Sequence, residues 1–520
     1  MKLGLAQIDT RIGDFAGNRR RIVAAVAEAR RRGAEMVALP EMVVTGYPPR
    51  DLLLDPGFVD RAVEATEAIA REVAGGPPVL LGTVARSGAA APGHPGLWNA
   101  AALLDGGRVA ALVPKRLLPA YDIFHEPRWF VPGASSPPLD VAGRRIGALV
   151  CEDLWDEGYP MHPPGDLLAG GAEALVAIAS SPFRSGILER RLRHACRAGA
   201  PVAFVNAVGA NDELIFDGGS FVMDGSGEVI ARLPRFAEAV EVVDLPGGGF
   251  LAPAMTEEEE LFAALVLGVR GFAAKNGLRR LFLGLSGGVD SALVTCIASE
   301  ALEPRRVTGV ALPSRHTDPR STEAARELAA ALGIAFEVVP LDPLHAEAAR
   351  SLSHLLEGDA GTTDENLQAR LRAVALAAYV NRYGGLLLNT SNKTELSLGY
   401  GTLYGDLAGT LSPIGDLTKL QVYAVARWVS ANRVPVPSFI LDRPPSAELR
   451  PDQVDPFDYP AVAPAVEALV QGRSAPPEEE DGRWRRLLRA AEHKRWQHGI
   501  VLKVSEKSFG TGRMMPVTAV

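Results

Sequence analysis

Three side chains in the N-terminal half could together do chemistry on an amide: Glu41, directly after EMVALP, Lys115 in PKRLLPAYDIFHE, and Cys151 in RIGALVCEDLW. A thiolate attacks a carbonyl carbon, a carboxylate carries the proton to the departing amine, and an ammonium stabilises the tetrahedral oxyanion. Singly each is weak evidence, because a lone cysteine at a strand end more often packs and a lone Glu or Lys is usually a surface charge. Lysine occurs only eight times, however, and arginine supplies the other 46 of the 54 cations. A lysine inside a motif therefore marks a place where a compact ammonium is wanted and a planar fork does not substitute.

The C-terminal half carries SGGVDS, which is Ser286, Gly287, Gly288, Val289, Asp290 and Ser291. An apolar run precedes it and a helical pattern follows, so its backbone N–H groups and a helix N-terminus can cradle pyrophosphate at a sheet's C-terminal edge. No GxxxxGK[ST] loop is present. GLSGG also fits G-x-S-x-G, in which Ser286 would be a hydrolase nucleophile needing an acid and a histidine downstream. A tight strand-to-helix turn without chemistry is the third reading.

The elements that must position these groups follow from hydrophobic patterning. LGLAQI, EMVALP, PVLLGTV, AALLD, RIGALV, ALVAIAS, PVAFVNAV and SFVMD are short apolar runs bounded by Gly, Pro, Asn or Asp, and they predict buried strands. In NRRRIVAAVAEARRRG, Ile22, Val26 and Ala29 recur near helical period and Gly33 ends the helix. LPGGGFLAPAMTEEEE marks a junction, with Thr256 and Glu259 as a possible capping box. Beyond it LRRLFLGLS, RRVTGVAL, AFEVVP and GGLLLNT alternate with helices, which predicts a parallel, doubly wound sheet. The division expected is residues 1–248, a linker at 249–260, and 261–520. SAPPEEEDG reads as an exposed loop.

With 520 residues, 47% apolar and 22% charged, the chain has ordinary globular composition. A net charge of −8 gives no bulk positive field for nucleic acid or anionic lipid. Three separated cysteines, Cys151, Cys196 and Cys296, point to a reducing compartment, with the latter two expected in the core. The N-terminus has no cleavable leader pattern and no run is long enough to span a membrane, so a cytoplasmic protein is expected.

The contexts PEM…TGYPPRDLL, K-x-x-LP-x-Y and VCEDLW resemble the nitrilase, or carbon-nitrogen hydrolase, superfamily, and especially the glutaminase domain of glutamine-dependent NAD synthetases. The resemblance covers about residues 1–245 and implies an α/β sandwich with the triad Glu41, Lys115 and Cys151. It implies Glu126 as a second acid, and Tyr47, Tyr121, Glu152 and Ser181 as glutamine contacts. Ile187 stands where several relatives place a basic residue, which leaves the group that takes the glutamine carboxylate open. Met1-Lys2 offers no mature N-terminal cysteine and LVCED is not a GxCxG elbow, so other amidotransferase classes fit less well.

SGGVDS followed by ALPSRHT, NTSNKTELSLGYGTLYGD, SPIGDLTKLQ, ILDRPPSAEL and EHKRWQ resembles the ATP-pyrophosphatase-type NAD synthetases across residues 260–520. That resemblance implies a Rossmann-like domain in which deamido-NAD is adenylated by ATP and amidated by ammonia from glutamine, through a protected tunnel. It assigns the SGGVDS residues, Thr390, Lys419 and Ser446 to ATP. Glu395 and Asp290 are assigned to Mg²⁺, and Arg370, Arg372, Asp406, His493 and Lys494 to deamido-NAD. A homo-oligomer, with dimerisation through this domain, is also implied. The pattern departs at QVDPFDYP, where relatives commonly carry further acidic residues. Two rivals remain: an amidase fused to a ligase for another carboxylate, and an inactive scaffold that kept both folds.

Overall fold

Alternation of side chains along short β-branched and small-residue runs builds the first half. The computed structural model describes residues 1–245, 247–358, 361–473, 482–513, 515 and 517, and the chain divides into two units, Met1–Ala254 and Met255–Val520. The first unit contains β1 (Lys2–Gln7), β2 (Met36–Ala38), β3 (Val79–Arg86), β4 (Leu97–Asp105), β5 (Arg108–Pro114), β6 (Leu139–Val141) and β7 (Arg144–Val150). It continues with β8 (Ala174–Ala179), β9 (Val202–Asn206), β10 (Val208–Asn211), β11 (Leu214–Asp217), β12 (Phe221–Met223), β13 (Val229–Arg232) and β14 (Ala239–Asp244).

One sheet runs β14-β1-β2-β3-β4-β5 and a second β13-β12-β9-β8-β7-β6, with β10 and β11 as a separate hairpin. Their inner faces share one core: Leu3, Leu5, Leu80 and Leu103 from the first sheet meet Ile146, Val150, Leu175 and Phe204 from the second. Alternate residues of the first sheet point the other way, where Val79 and Leu81 pack with Ile22, Val26 and Ile69 of α1 (Phe15–Arg31) and α2 (Pro56–Glu72). Asp14 caps α1 by accepting from Gly17 N at 2.8 Å. The helices α3 (Pro163–Ala169) and α4 (Ile187–Arg197) accompany the second sheet. The strands that patterning did not mark are the four sheet edges, β5, β6, β13 and β14, and the separate β10–β11 hairpin. Edges lack the continuous apolar signature of doubly covered strands.

The second unit opens with α5 (Glu257–Lys275), whose Thr256 cap accepts from Glu259 N at 3.3 Å. Its sheet is parallel, in the order β17-β16-β15-β18, from β15 (Leu281–Gly284), β16 (Val307–Ala311), β17 (Ala335–Val338) and β18 (Leu386–Leu387). Between and beyond them lie α6 (Val289–Ala301), α7 (Pro319–Leu332), α8 (Asp342–Ser351), α9 (Ser353–Leu356), α10 (Thr363–Tyr383), α11 (Lys393–Leu398) and α12 (Lys419–Asn432). Strand order reverses at β15, which opens a crevice beyond its C-terminal end.

Cys296 is buried as expected, but Cys196 is exposed, because its position near the end of α4 turns it away from the sheet. SAPPEEEDG lies, apart from Gly482, outside the described residues. Among the described residues no helix is long and apolar enough to cross a membrane.

Candidate active site

In the first unit, strand ends deliver the reactive groups. Glu41 follows β2, Lys115 follows β5 and Cys151 follows β7. The Glu41 backbone presses so closely on β3 that a Cβ at Gly82 would lie 2.4 Å from Glu41 Cα and 2.1 Å from Met42 N, so only glycine fits there. Met42 and Cys151 themselves hold left-handed backbone, φ 47° and 46°. Such conformations cost energy for a side chain and persist where the surroundings over-determine them.

Lys115 Nζ donates to Glu41 Oε1 at 2.9 Å and to Glu126 Oε1 at 2.8 Å, and all three side chains are buried. Asn99 Nδ2 donates to Glu41 Oε1 at 2.7 Å and Ser180 N to Glu41 Oε2 at 2.9 Å, which fixes both carboxylate oxygens. Asp153 accepts from Arg116 N and Leu117 N, both at 2.9 Å, and so ties the segment after Lys115 to the turn that starts at Cys151. Tyr47 OH reaches Glu126 Oε1 at 3.4 Å, and Tyr121 OH donates to Glu152 Oε2 at 3.0 Å. Ser181 Oγ accepts from the buried Arg191 Nε at 3.2 Å.

Burial raises the Cys151 thiol pKa, Glu41 adds to that, and Lys115 opposes it, so the thiol rests protonated beside a carboxylate. Burial alone would depress the Lys115 ammonium, but Glu126 and Glu41 outweigh it and hold its pKa well above the usual value. Glu126 is pushed up to about 7, by burial first and against the pull of Lys115. The arrangement can move one proton next to a nucleophile while keeping a fixed cation nearby. Asn99, Ser180 and Asp153 were not singled out from sequence. No spacing signals Asn99 or Ser180, since each meets Glu41 only across strands, and Asp153 gives its oxygens to backbone N–H groups of two segments.

In the second unit β15 runs into the SGGVDS turn. Gly287 has φ 80°, and a Cβ there would lie 2.2 Å from Ser321 O, so both conformation and space demand glycine. Gly288 is the N-cap of α6, and Ser291 Oγ donates to Gly288 O at 3.0 Å. Asp290, on the first turn, receives Asn392 Nδ2 at 2.8 Å and Lys419 Nζ at 2.5 Å. Lys419 Nζ also donates to Glu395 Oε1 at 3.2 Å. Asn392 and Glu395 form a reciprocal capping box at the start of α11. Burial pushes the Glu395 carboxyl up to about 8; Lys419 opposes this, while Asp290 and Asp455 add to it. Asp455, in the divergent QVDPFDYP segment, is held by Tyr400 OH at 3.1 Å and Tyr459 OH at 2.7 Å.

A cavity of about 250 Å³ lies at the crevice, lined by Ser286, Leu312, Arg372, Thr390, Asp406 and Glu448 among others. Arg372 Nε is held by Leu312 O at 3.1 Å and Asp406 Oδ1 by Thr402 N at 2.6 Å. Of the expected nucleotide-site residues Ser286, Thr390, Arg372 and Asp406 line that cavity and the others do not, and four of those others are engaged elsewhere. Ser446 closes its own turn through Gln453 O and Glu448 N, and Arg370 Nε donates to Leu403 O at 3.1 Å. His493 Nδ1 sits 2.9 Å from Ala490 O, and Lys494 Nζ donates to Gly399 O and Gly401 O at 2.8 and 2.7 Å.

Residues 2–248 match the carbon-nitrogen hydrolase family and residues 261–480 the NAD synthase family. The chain is 38% identical to the glutamine-dependent NAD(+) synthetase of Synechocystis, over 99% of this chain and 98% of that protein. The chain belongs to the glutamine-dependent NAD(+) synthetases. The Rhodobacter capsulatus member is 37% identical over 99% of this chain and 98% of its own length. The synthetase of Acinetobacter baumannii, solved in complex with ADP, superposes with a TM-score of 0.81 at 29% identity, covering 99% of this chain and 98% of that one. The fold is thus that of the whole family: a nitrilase-like sandwich and a parallel-sheet synthetase unit.

Proposed function

We propose that the first unit, as the glutaminase of this glutamine-dependent NAD(+) synthetase, uses Glu41, Lys115 and Cys151 to release ammonia, and that the second consumes it. Glu41 takes the Cys151 proton as the thiolate attacks the glutamine amide carbon, Lys115 stabilises the oxyanion, and Glu41 returns the proton to the leaving ammonia. Water then hydrolyses the thioester to glutamate, with Tyr47, Tyr121, Glu152 and Ser181 as glutamine contacts. Glu126 helps hold Lys115. The observation that carries this reading is the buried ammonium bridging Glu41 and Glu126 at the strand ends that also deliver Cys151.

In the second unit a deamido-NAD carboxylate oxygen attacks the α-phosphorus of ATP, pyrophosphate leaves, and ammonia displaces AMP from the resulting adenylate. The SGGVDS turn and Lys419 serve the phosphates, Thr390 and Ser446 assist with ATP, and Arg370, Arg372, Asp406, His493 and Lys494 serve deamido-NAD. The oxygen donors of Asp290 and Glu395 suit Mg²⁺. Two carboxylates are few ligands for such an ion, so they fit a metal that would complete its shell with nucleotide phosphates and water. Bound there, the ion neutralises charge on the leaving pyrophosphate. We place residues 249–260 as linker and the protein in the cytoplasm. We also propose a homo-oligomer, supported by the exposed apolar side chains Val374 and Tyr383 on α10.

Carboxylate-¹⁸O deamido-NAD tests the chemistry. Adenylation carries one label into AMP, with pyrophosphate as coproduct. Label in inorganic phosphate, or ADP as the main product, rejects the adenylate and favours an acyl phosphate.

A further inference from the structure

Between the Cys151 turn and α3 the chain forms a loop, residues 155–162, that the reading above leaves without a task. The loop is anchored at several points. Trp155 lies against His194 of α4 with ring centroids 4.5 Å apart, and the Arg190 guanidinium sits 5.7 Å from the same ring. Glu157 pairs with Arg197 at 2.9 Å, and His162 Nδ1 lies 3.2 Å from Asp156 Oδ2. Tyr159 N donates to Asp156 O at 3.1 Å, closing a turn. This framework leaves the Tyr159 side chain half-buried with its hydroxyl 3.0 Å from Glu152 Oε1. Tyr121, from a different segment, donates to the same carboxylate at 3.1 and 3.0 Å.

Two phenols converging on one carboxylate have a physical consequence. Glu152 is only 6% exposed, and a carboxyl so buried keeps its charge only if donors and cations compensate for lost water. The groups facing it are Lys115, Glu41, Glu126, the Cys151 thiol, Tyr121 and Tyr159. Burial raises the Glu152 pKa, Lys115 and the two phenols lower it, and Glu41 raises it. The phenol pKa values are themselves raised by burial and by Glu152, so both hydroxyls stay protonated and can only donate to an ionised partner.

We propose that Tyr159 is a positioning residue for substrate selection, holding Glu152 ionised and oriented beside Cys151 to pair with the α-ammonium group of glutamine. The inference rests on the reading of Glu152 as a glutamine contact. Selection then favours an amide that carries a cation over a neutral one of the same length. Losing one of the two phenol hydrogen bonds raises the Glu152 pKa, so on acidification the carboxylate is lost at a higher pH.

The test uses the full chain with Tyr159→Phe, which keeps the ring and removes only the hydroxyl. Glutamate release from glutamine and hydrolysis of glutaramate, the same amide without the α-amino group, are measured from acidic to mildly alkaline pH. The KM for glutamine should rise by about tenfold to a hundredfold, as expected for a lost hydrogen bond to a charged group, with kcat changed far less. Its rise on acidification should begin at higher pH than in the wild type. Glutaramate hydrolysis and NAD synthesis from ammonium chloride should not change. An unchanged glutamine KM and pH profile, or equal losses on both amides, overturns the role of Tyr159. Glu152→Gln separates the underlying reading: if that variant keeps the wild-type glutamine KM, the Glu152 assignment falls and the Tyr159 proposal falls with it. If it loses glutamine binding while Tyr159→Phe does not, only Tyr159 is rejected.

Discussion

Lys115→Arg separates charge from geometry in the first unit. Lys115 is 1% exposed, and its Nζ has Glu41 and Glu126 oxygens at 2.9 and 2.8 Å, so the room around the ammonium is already filled. Arginine is longer and planar, and seating it forces Glu41 or Glu126 aside. Overpacking of this kind costs about 1–3 kcal/mol of stability. Moving the cation off the developing oxyanion removes one preorganised electrostatic contact, worth about 10²–10³ in rate. Glutamate release should therefore fall by about two to three orders of magnitude although the formal charge is kept. NAD formation from saturating ammonium chloride, measured on the same preparation, should be unaffected and so reports on folding of the other unit. Lys115→Met should be harsher on stability, because two buried carboxylates lose their cation at about 3–5 kcal/mol. Glutaminase activity within about threefold of wild type in the arginine variant would show that charge alone suffices and refute the geometric argument.

Three further outcomes follow from the same geometry. Cys151→Ala should abolish glutamine-supported NAD formation and leave ammonia-supported synthesis intact; loss of both in a folded variant rejects the division of labour. Gly287→Ala puts a Cβ 2.2 Å from Ser321 O at φ 80°, so ATP-dependent synthesis should collapse with either nitrogen source while glutamate release survives, as product analysis can show. Glu126 titrates in the fold at about 7, above its ordinary value of 4.5, so its ionisation costs stability progressively as pH rises through that interval. Glu126→Gln removes that cost, and its denaturation free energy relative to wild type should become more favourable between about pH 5 and pH 8; an opposite slope overturns the assignment.

How much of this was legible in sequence depended on whether a residue's role is local. Glu41, Lys115 and Cys151 each end or follow an apolar strand, and strand ends converge at a sheet edge, so their meeting could be inferred. Thr256, read as a cap from TEEEE alone, does accept from Glu259 N at the start of α5. Asn99 and Ser180 were not legible, because each reaches Glu41 only through cross-strand proximity and neither has a motif of its own. Asp153 was hidden for another reason: it stands two residues from Cys151, where its acidity looks catalytic, yet its oxygens are taken up by Arg116 N, Leu117 N and Val150 N. The edge strands β5, β6, β13 and β14 escaped patterning for want of a second covered face.

The two units solve one electrostatic problem in the same way and for different ends. Each places a buried ammonium between two carboxylates, Lys115 with Glu41 and Glu126, and Lys419 with Asp290 and Glu395. Burial first, with the second carboxylate adding to it and the ammonium opposing it, raises one carboxyl of each set, to about 7 for Glu126 and about 8 for Glu395. In the first unit the reacting amide is neutral and brings no counter-ion, so the ammonium stays paired with Glu41 and Glu126. In the second, Asp290 and the raised Glu395 carboxyl both face Lys419 beside the turn proposed to cradle phosphates. A purely basic pocket would hold ATP phosphates without a metal, whereas carboxyls placed there can ionise against an added cation that the phosphates bring with them. The two carboxyls next to SGGVDS thus fit the Mg²⁺–ATP proposed for the synthetase half, and that proposal gives a reason for pairing Lys419 with two acids where one would neutralise it.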